Sequence, residues 1–419
     1  MKGLSLCGGG SKGSYEMGAW DAFKLLNMNF NIVTGTSIGC LNGAMFVQKD
    51  YDRCEELWEK INIEHISNNA FDLDEVSIGS VVRHADFKPF IKEYIKGFGI
   101  DITPFKALLK EYVIPEKILK SDIKFGVVVS TFPLIRKEEV IISDLPAEDV
   151  HSYLLASASA FPVFPICKIN GKQYIDGGYT DNLPIDLAFK MGAEHVVAVD
   201  LSFDVKHKHY VKHPNVDYIY PKWDLGSFLN FNSNILDKNR ILGYFDVLKY
   251  YGKYDGYKYT FNKIKGLDNQ ASAVNKIITK DVIYLKDKKL KNFFKRENYI
   301  NIYSLLSQHI NKELRSYDYL LKCMEEVGDV LGIYPSELYT VKDFIKIIKT
   351  SINKDEINRI DEELNLIKKD DKKSEYIIEC DKKLLLNYFY NKELSDNFRL
   401  LLLRSVPELY LCYVFLKTL

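Results

Sequence analysis

Twice before Phe46 the chain passes from a short apolar stretch through glycines into a helix-compatible segment. Leu4, Leu6 and Cys7 lead into Gly8-Gly9-Gly10-Ser11-Lys12-Gly13, and Phe30 to Val33 lead into Gly35-Thr36-Ser37-Ile38-Gly39. Strand, glycine loop, helix, strand, turn, helix is the order of a layered α/β fold with a largely parallel sheet, because parallel neighbours need a crossover that a helix supplies. Tyr15, Ala19, Phe23 and Leu26 recur at helical spacing and predict the buried face of the first helix. Further strands are expected at Phe125 to Thr131, Val140 to Ile142, Gln173 to Ile175 and Val196 to Leu201.

Gly35-x-Ser37-x-Gly39 has the form of a nucleophile elbow. A strand that turns sharply into a helix passes close to both neighbours, so glycines flank the serine and leave its hydroxyl exposed. The helix that follows would favour an oxyanion at its N-terminus. Alone, the pentapeptide is weak evidence, since a tight strand-to-helix turn gives the same pattern. The upstream loop allows two readings. Its amides can converge on an anion, with Lys12 adding positive charge. Gly8-x-Gly10-x-x-Gly13 also matches the dinucleotide fingerprint, but that reading needs an acidic residue at the end of the second strand. Val33-Thr34-Gly35 stands there instead. An oxyanion hole facing Ser37 fits the loop better.

A third element is Tyr174-Ile175-Asp176-Gly177-Gly178-Tyr179-Thr180-Asp181-Asn182-Leu183-Pro184. Asp176 ends a strand, and Gly177 and Gly178 let another backbone approach; in isolation this is an Asp-Gly turn. Before it, Ala156-Ser157-Ala158-Ser159-Ala160 supplies small side chains for close packing, and Pro162 and Pro165 stop the helix.

These residues together resemble the patatin-like phospholipase family. That family has a G-G-G-x-[RK]-G loop, a G-x-S-x-G elbow, an A-S-x-A-x-P-x-F-P stretch and a D-G-G/A motif, and all four occur here in that order. The resemblance covers residues 1–261 and implies a three-layer α/β fold with a central, mostly parallel sheet. It implies Ser37 as nucleophile and Asp176 as its partner. Gly8, Gly9, Gly10, Ser11, Lys12 and Gly13 would form the oxyanion hole, with Gly35, Gly39, Gly177 and Gly178 shaping the two motifs. Lys12 stands where arginine is commoner, and Cys40 follows the elbow glycine. The implied chemistry is a Ser-Asp dyad acting on phospholipid, lysophospholipid or a related acyl ester, with no metal and no cofactor. A lipid-binding protein without hydrolytic activity, or an acyltransferase, would share the same residues.

A serine-acid-histidine triad is the rival, but its elbow normally follows several strands. His195 opens the apolar run Val196 to Val199 and reads as a strand residue. His207, His209 and His213 lie in a Lys/His-rich stretch that reads as a solvated loop, and His309 lies far downstream.

At 419 residues the chain exceeds the size at which single cores stop growing, so two domains are expected. The reading places a catalytic domain at 1–261 and a helical accessory region at 262–419, where Lys/Asn/Asp-rich segments alternate with Leu/Ile-rich ones. Fifty-seven basic residues balance 57 acidic ones, so no global charge points to nucleic acid. Seven cysteines without a C-x-x-C suit free thiols in a reducing compartment. Met1 to Cys7 is too short for a signal peptide, and no run approaches the ~18 apolar residues of a membrane span, so a cytoplasmic protein is expected. Oligomeric state is left open.

Residues 49–120 predict a mostly helical insertion carrying Trp58, Phe71, Phe87, Phe90, Tyr94, Phe98 and Phe105, some of them lining an acyl-chain groove beside Ser37. Lys368 to Lys373 is a solvated charge run. Phe398 to Leu419 is apolar but interrupted by Arg399, Arg404, Pro407 and Glu408. It reads as a helix pair packed on the body, or as an amphipathic element in peripheral contact with a membrane; its polar face lacks the basic excess that the second reading expects.

Overall fold

The computed structural model describes residues 1–68, 100–287, 316–352, 360, 362, 377 and 379–419. They form two compact units, Met1–Tyr251 and Gly252–Leu419. The sequence changes character later, at residue 262. Strand-like Thr260–Phe261 belongs to the second unit, where it pairs with Leu338–Tyr339.

In the first unit, β1 (Lys2–Leu6) leads through the glycine loop to α1 (Ser14–Leu25), and β2 (Ile32–Gly35) through the serine turn to α2 (Ile38–Val47). Helices α3 (Tyr51–Lys60), α4 (Thr103–Tyr112) and α5 (Pro115–Leu119) precede β3 (Lys124–Phe132) and β4 (Lys137–Ile141). After α6 (Ala147–Ser157) come β5 (Cys167–Ile169), β6 (Lys172–Asp176), α7 (Ile185–Lys190), β7 (His195–Val199), β8 (Val216–Ile219) and α8 (Ser233–Tyr250).

The strands make one eight-stranded mixed sheet. β1 lies at its centre, with β2 and β7 parallel on either side, β3 parallel to β2, and β8 parallel to β7. β4, β5 and β6 are added antiparallel. Phe125 and Gly126 of β3 show how helices cover both faces. A Cβ on Gly43 of α2 would touch the Phe125 ring, and one on Gly126 would touch Leu187 of α7. Successive side chains of a strand point to opposite faces, so α2 and α7 cover opposite sides. Covered twice, β3 is buried from Phe125 to Ser130, which explains its unbroken Val127-Val128-Val129 run.

The register of β3 brings the site together. Val129 and Ser130 pair both with Glu138 and Lys137 of β4 and with Asp176 and Ile175 of β6, so those two strands occupy opposite edges of β3. β2 uses the same edge as β6 but lower down, where Gly35 pairs with Val127. The end of β2 and the end of β6 therefore meet along one strand.

Helix α1 is buried nearly all round. Its contact with α8 depends on two glycines, since a Cβ on Gly18 would fall 1.7 Å from the Arg240 carbonyl oxygen and one on Gly243 1.9 Å from that of Tyr15. Tyr15, Ala19 and Phe23 are buried as the spacing predicts, while Leu26 at the helix end is half-buried. The expected strands occur, with Ile142 opening a 3₁₀ turn and Leu201 lying beyond β7. β5 and β8, of three and four residues, escape sequence patterning because they are too short to show a period.

The second unit holds β9 (Thr260–Phe261), α9 (Asp268–Asp287), α10 (Ser316–Leu331), β10 (Leu338–Tyr339), α11 (Val341–Ser351), α12 (Lys382–Asn391), α13 (Asp396–Ser405) and α14 (Pro407–Leu416). The C-terminal segment is a helix pair, with Pro407 opening the second helix. Every residue from Leu409 to Leu416 is buried. Arg399 bridges α13 to Asp281 of α9 at 2.8 Å, and the Tyr410 hydroxyl donates to the same carboxylate at 3.0 Å. No helix among the described residues is long and apolar enough to cross a membrane. Phe71, Phe87, Phe90, Tyr94, Phe98, His309 and the run Lys368 to Lys373 lie outside the described residues.

Candidate active site

Ser37 sits at the corner between β2 and α2 with φ 54° and ψ −126°, a left-handed conformation that costs a non-glycine residue on the order of 1–3 kcal/mol. The flanking glycines are sterically required. A Cβ on Gly35 would fall 2.4 Å from the Gly39 carbonyl oxygen, and one on Gly39 2.5 Å from that of Leu6. Ser157, read from sequence only as a small packing residue, holds the corner. Its Oγ accepts the Ser37 N–H at 3.0 Å and donates to the Val128 carbonyl at 2.7 Å.

Asp176 closes β6 and is 6% exposed. Its carboxylate accepts the Gly178 N–H at 2.7 Å, and the Ser37 side chain is close enough to influence its protonation. Its own N–H donates to the Ser159 carbonyl at 2.9 Å. Burial pushes the carboxyl up to about 6, and the Ser37 side chain and the Gly178 N–H pull against that rise. A base in this range suits proton exchange with a hydroxyl far better than an exposed carboxylate near 4.

The glycine loop packs directly against the serine, since a Cβ on Gly8 would stand 3.1 Å from that of Ser37. Gly8 is held in both directions by Asn182, giving its N–H to the Asn182 carbonyl at 3.0 Å and accepting from Asn182 Nδ2 at 2.9 Å. Ser11 donates its N–H to the Phe228 carbonyl at 2.8 Å and its hydroxyl to the Ser227 carbonyl at 3.0 Å. Lys12 donates its N–H to the Gly9 carbonyl at 3.3 Å. Among the described residues, the N–H groups of Gly9 and Gly10 carry no hydrogen bond. Of the six residues expected to supply oxyanion donors, Gly8, Ser11 and Lys12 thus have their amides committed elsewhere. The Phe228 carbonyl packs closely on the loop, since a Cβ on Gly10 would fall 2.1 Å from its oxygen.

Behind the loop, Glu16 is a buried carboxyl that sequence reasoning missed. It accepts from the Cys7 N–H and from Asn42 Nδ2, both at 2.8 Å. Asn42 also donates to the Gly13 carbonyl at 3.0 Å and accepts from Trp58 Nε1 at 3.0 Å. Desolvation pushes Glu16 up to about 8. An acidic residue in a first helical turn ordinarily reads as exposed complement to the helix dipole, so nothing in the sequence marked this one as buried.

Beside Ser37 opens an apolar cleft of about 880 Å³, counted out to solvent. Ile38, Leu41 and Met45 of α2, Trp58 of α3, Phe105 of α4 and Phe164 form its wall, with Gly10 at the same mouth as Ser37. Of the aromatics expected to line a groove, Trp58 and Phe105 do so. Among the described residues no group of three or more His, Cys, Asp or Glu side chains could hold a metal ion.

No hydrogen bond joins a described histidine to Ser37 or Asp176. His195 lies at the first residue of β7, the end opposite the glycine loop, with Nε2 3.0 Å from Asp217 of β8. His209 packs tilted against the Tyr210 ring and His213 meets the same ring edge-on. Among the described residues, the groups bonded to Asp176 include no histidine.

Residues 4–189 match the Patatin-like phospholipase family. They form a patatin-like phospholipase domain. Relatives of this domain include lysophospholipase NTE1 of Candida albicans, 28% identical over 206 residues, which are 48% of this chain and 13% of that protein. Patatin-like phospholipase domain-containing protein 7 of Mus musculus is 26% identical over 203 residues, 47% of this chain and 13% of that protein. The chain thus spans only a small part of the length of these curated relatives. Among solved structures, the crystal structure of VipD from Legionella pneumophila aligns with 98% of this chain and 91% of its own at 13% identity and a TM-score of 0.40. The patatin-like domain contains Ser37, the glycine loop and Asp176, and its fold is the mixed, mostly parallel sheet described above.

Proposed function

We propose that this chain is a serine acyl-ester hydrolase acting on phospholipid or lysophospholipid through a Ser37–Asp176 dyad. The observation that carries the reading is a serine on a strained strand-to-helix corner, close enough to the buried Asp176 carboxylate to lower its pKa, in the lining of an apolar cleft. In the proposed course Ser37 Oγ attacks the acyl carbon while its proton passes to Asp176. The carbonyl oxygen becomes an oxyanion facing the free N–H groups of Gly9 and Gly10, whose placement before reaction avoids reorganisation cost. Collapse expels the alcohol, protonated by Asp176, and leaves an acyl-Ser37 ester. Asp176 then takes a proton from water, the hydroxide attacks the ester, and the fatty acid departs as the proton returns to Ser37. The cleft accommodates the acyl chain, whose burial is worth roughly 0.8 kcal/mol per methylene. Named relatives that are lysophospholipases support the choice of substrate class.

The test is release of free fatty acid from lysophosphatidylcholine by the full chain, compared with Ser37→Ala. Fatty acid released by the wild type and lost by about a thousandfold or more in the folded variant is the expected result. Equal release by both would remove Ser37 from the chemistry, and no release by folded wild type would leave a lipid-binding protein.

A further inference from the structure

Leu134, Phe203 and Ile135 are the three most exposed large apolar side chains among the described residues, at 66%, 56% and 53%. All three follow the C-terminal ends of strands in the sheet that carries Ser37. β3 continues five residues past Val127, the partner of Gly35, so its end stands roughly 15 Å beyond the strand end that feeds the serine turn. There the hairpin to β4 turns through Pro133, Leu134, Ile135 and Arg136, all exposed. Phe203 follows the end of β7, whose last residue, Val199, is in register with Leu6 of β1, just as Gly35 of β2 is. The two elements thus flank the glycine loop and the serine turn.

Cations accompany both. Arg136 adjoins the apolar pair, and the loop after Phe203 carries exposed Lys206, Lys208 and Lys212 against one acidic residue, Asp204. Among the described residues Arg136, Lys206 and Lys208 have no ion-pair partner. A single exposed leucine needs no explanation. Apolar side chains raised on both flanks of one site, each beside unpaired cations, match a lipid interface, where apolar groups enter the acyl boundary and basic groups meet phosphates.

We propose that the β3–β4 hairpin tip and the loop after β7 dock the first unit onto an anionic bilayer, with Leu134, Ile135 and Phe203 inserted and Arg136, Lys206 and Lys208 on lipid phosphates. The choice of a bilayer over a protein partner rests on the lipid-hydrolase reading. Full-length wild type, Leu134→Glu/Ile135→Glu, Lys206→Glu/Lys208→Glu and Leu134→Trp are compared by co-sedimentation with vesicles of phosphatidylcholine, alone or mixed with phosphatidylserine. Turnover of a soluble short-chain ester is measured in parallel. The wild type is expected to bind the mixed vesicles. The hairpin variant should lose about tenfold or more in partitioning, and the lysine variant about fivefold per lysine on mixed vesicles only. Tryptophan emission of the Leu134→Trp protein should shift to the blue on mixed vesicles, and every variant should keep wild-type turnover of the soluble ester.

Vesicle binding that is absent in wild type or unchanged in the hairpin variant would overturn the docking surface, as would emission that does not shift, an outcome pointing to a protein partner instead. Hairpin-dependent binding without ester turnover would keep the docking surface and remove the hydrolase reading. Normal turnover with hairpin-independent binding would do the reverse.

Discussion

Gly35 and Asp176 lie two residues apart along the same edge of β3, paired with Val127 and Val129. Because β2 stops at Gly35 and the chain turns there, Ser37 emerges at the point where the antiparallel strand β6 delivers its terminal carboxylate. The dyad geometry is therefore a property of sheet register, and Gly177 permits it: a Cβ there would fall 2.1 Å from the Val128 carbonyl oxygen.

Asp176 must be ionised to accept the Ser37 proton, and burial holds it at about 6. Activity on a soluble ester should accordingly rise with pH through about 6 and level off above it. A pH profile of kcat/KM checks this; an acid limb centred near 4 would mean that Asp176 is not desolvated in the working enzyme.

The same rise has a stability sign. The folded state binds this proton more tightly than the unfolded state does, so the contribution is fully present below about 4 and is lost as pH climbs through about 6. Removing the charge with Asp176→Asn should stabilise the protein at neutral pH by on the order of 3 kcal/mol or less, and by little in mild acid. Urea midpoints at the two pH values measure it, and a destabilised variant at neutral pH would contradict it.

Ser157 links the Ser37 N–H to the Val128 carbonyl. Ser157→Ala strands both groups at a buried position, with an expected cost of about 1–3 kcal/mol in stability. If Ser157 positions the nucleophile, kcat should fall about tenfold while KM stays put, because substrate contacts are untouched. Steady-state kinetics separates this from a purely structural role, which would leave kcat of the folded fraction unchanged.

Leu41 faces the cleft from α2, one helical turn beyond Ser37. Leu41→Trp should shorten the space open to an acyl chain, lowering kcat/KM on long-chain esters by about tenfold or more while sparing short ones. An equal loss on both chain lengths would show that the acyl group lies elsewhere.

Local signals in the chain carry much of the site. Glycines at 8 to 10, 35 and 39 mark tight turns whether or not the neighbouring strands are known, so the loop and the serine turn are legible directly. The approach of Asp176 to Ser37 is not, because it depends on β3 pairing with two strands on one edge, a long-range register no local pattern encodes. Ser157 and Asn182 were hidden by ordinary roles, one as a small residue among alanines and the other as a loop amide. Within the apolar Phe398 to Leu419, the burial of Leu409 to Leu416 is a tertiary fact that the pattern alone does not give.

The account turns on Ser37 as a nucleophile activated by Asp176, and covalent labelling with a fluorophosphonate reads this most directly. Intact mass should show one adduct on wild type, none on Ser37→Ala, and labelling slowed by about a thousandfold or more on Asp176→Asn. An adduct on folded Ser37→Ala, or wild-type labelling of Asp176→Asn, would contradict it.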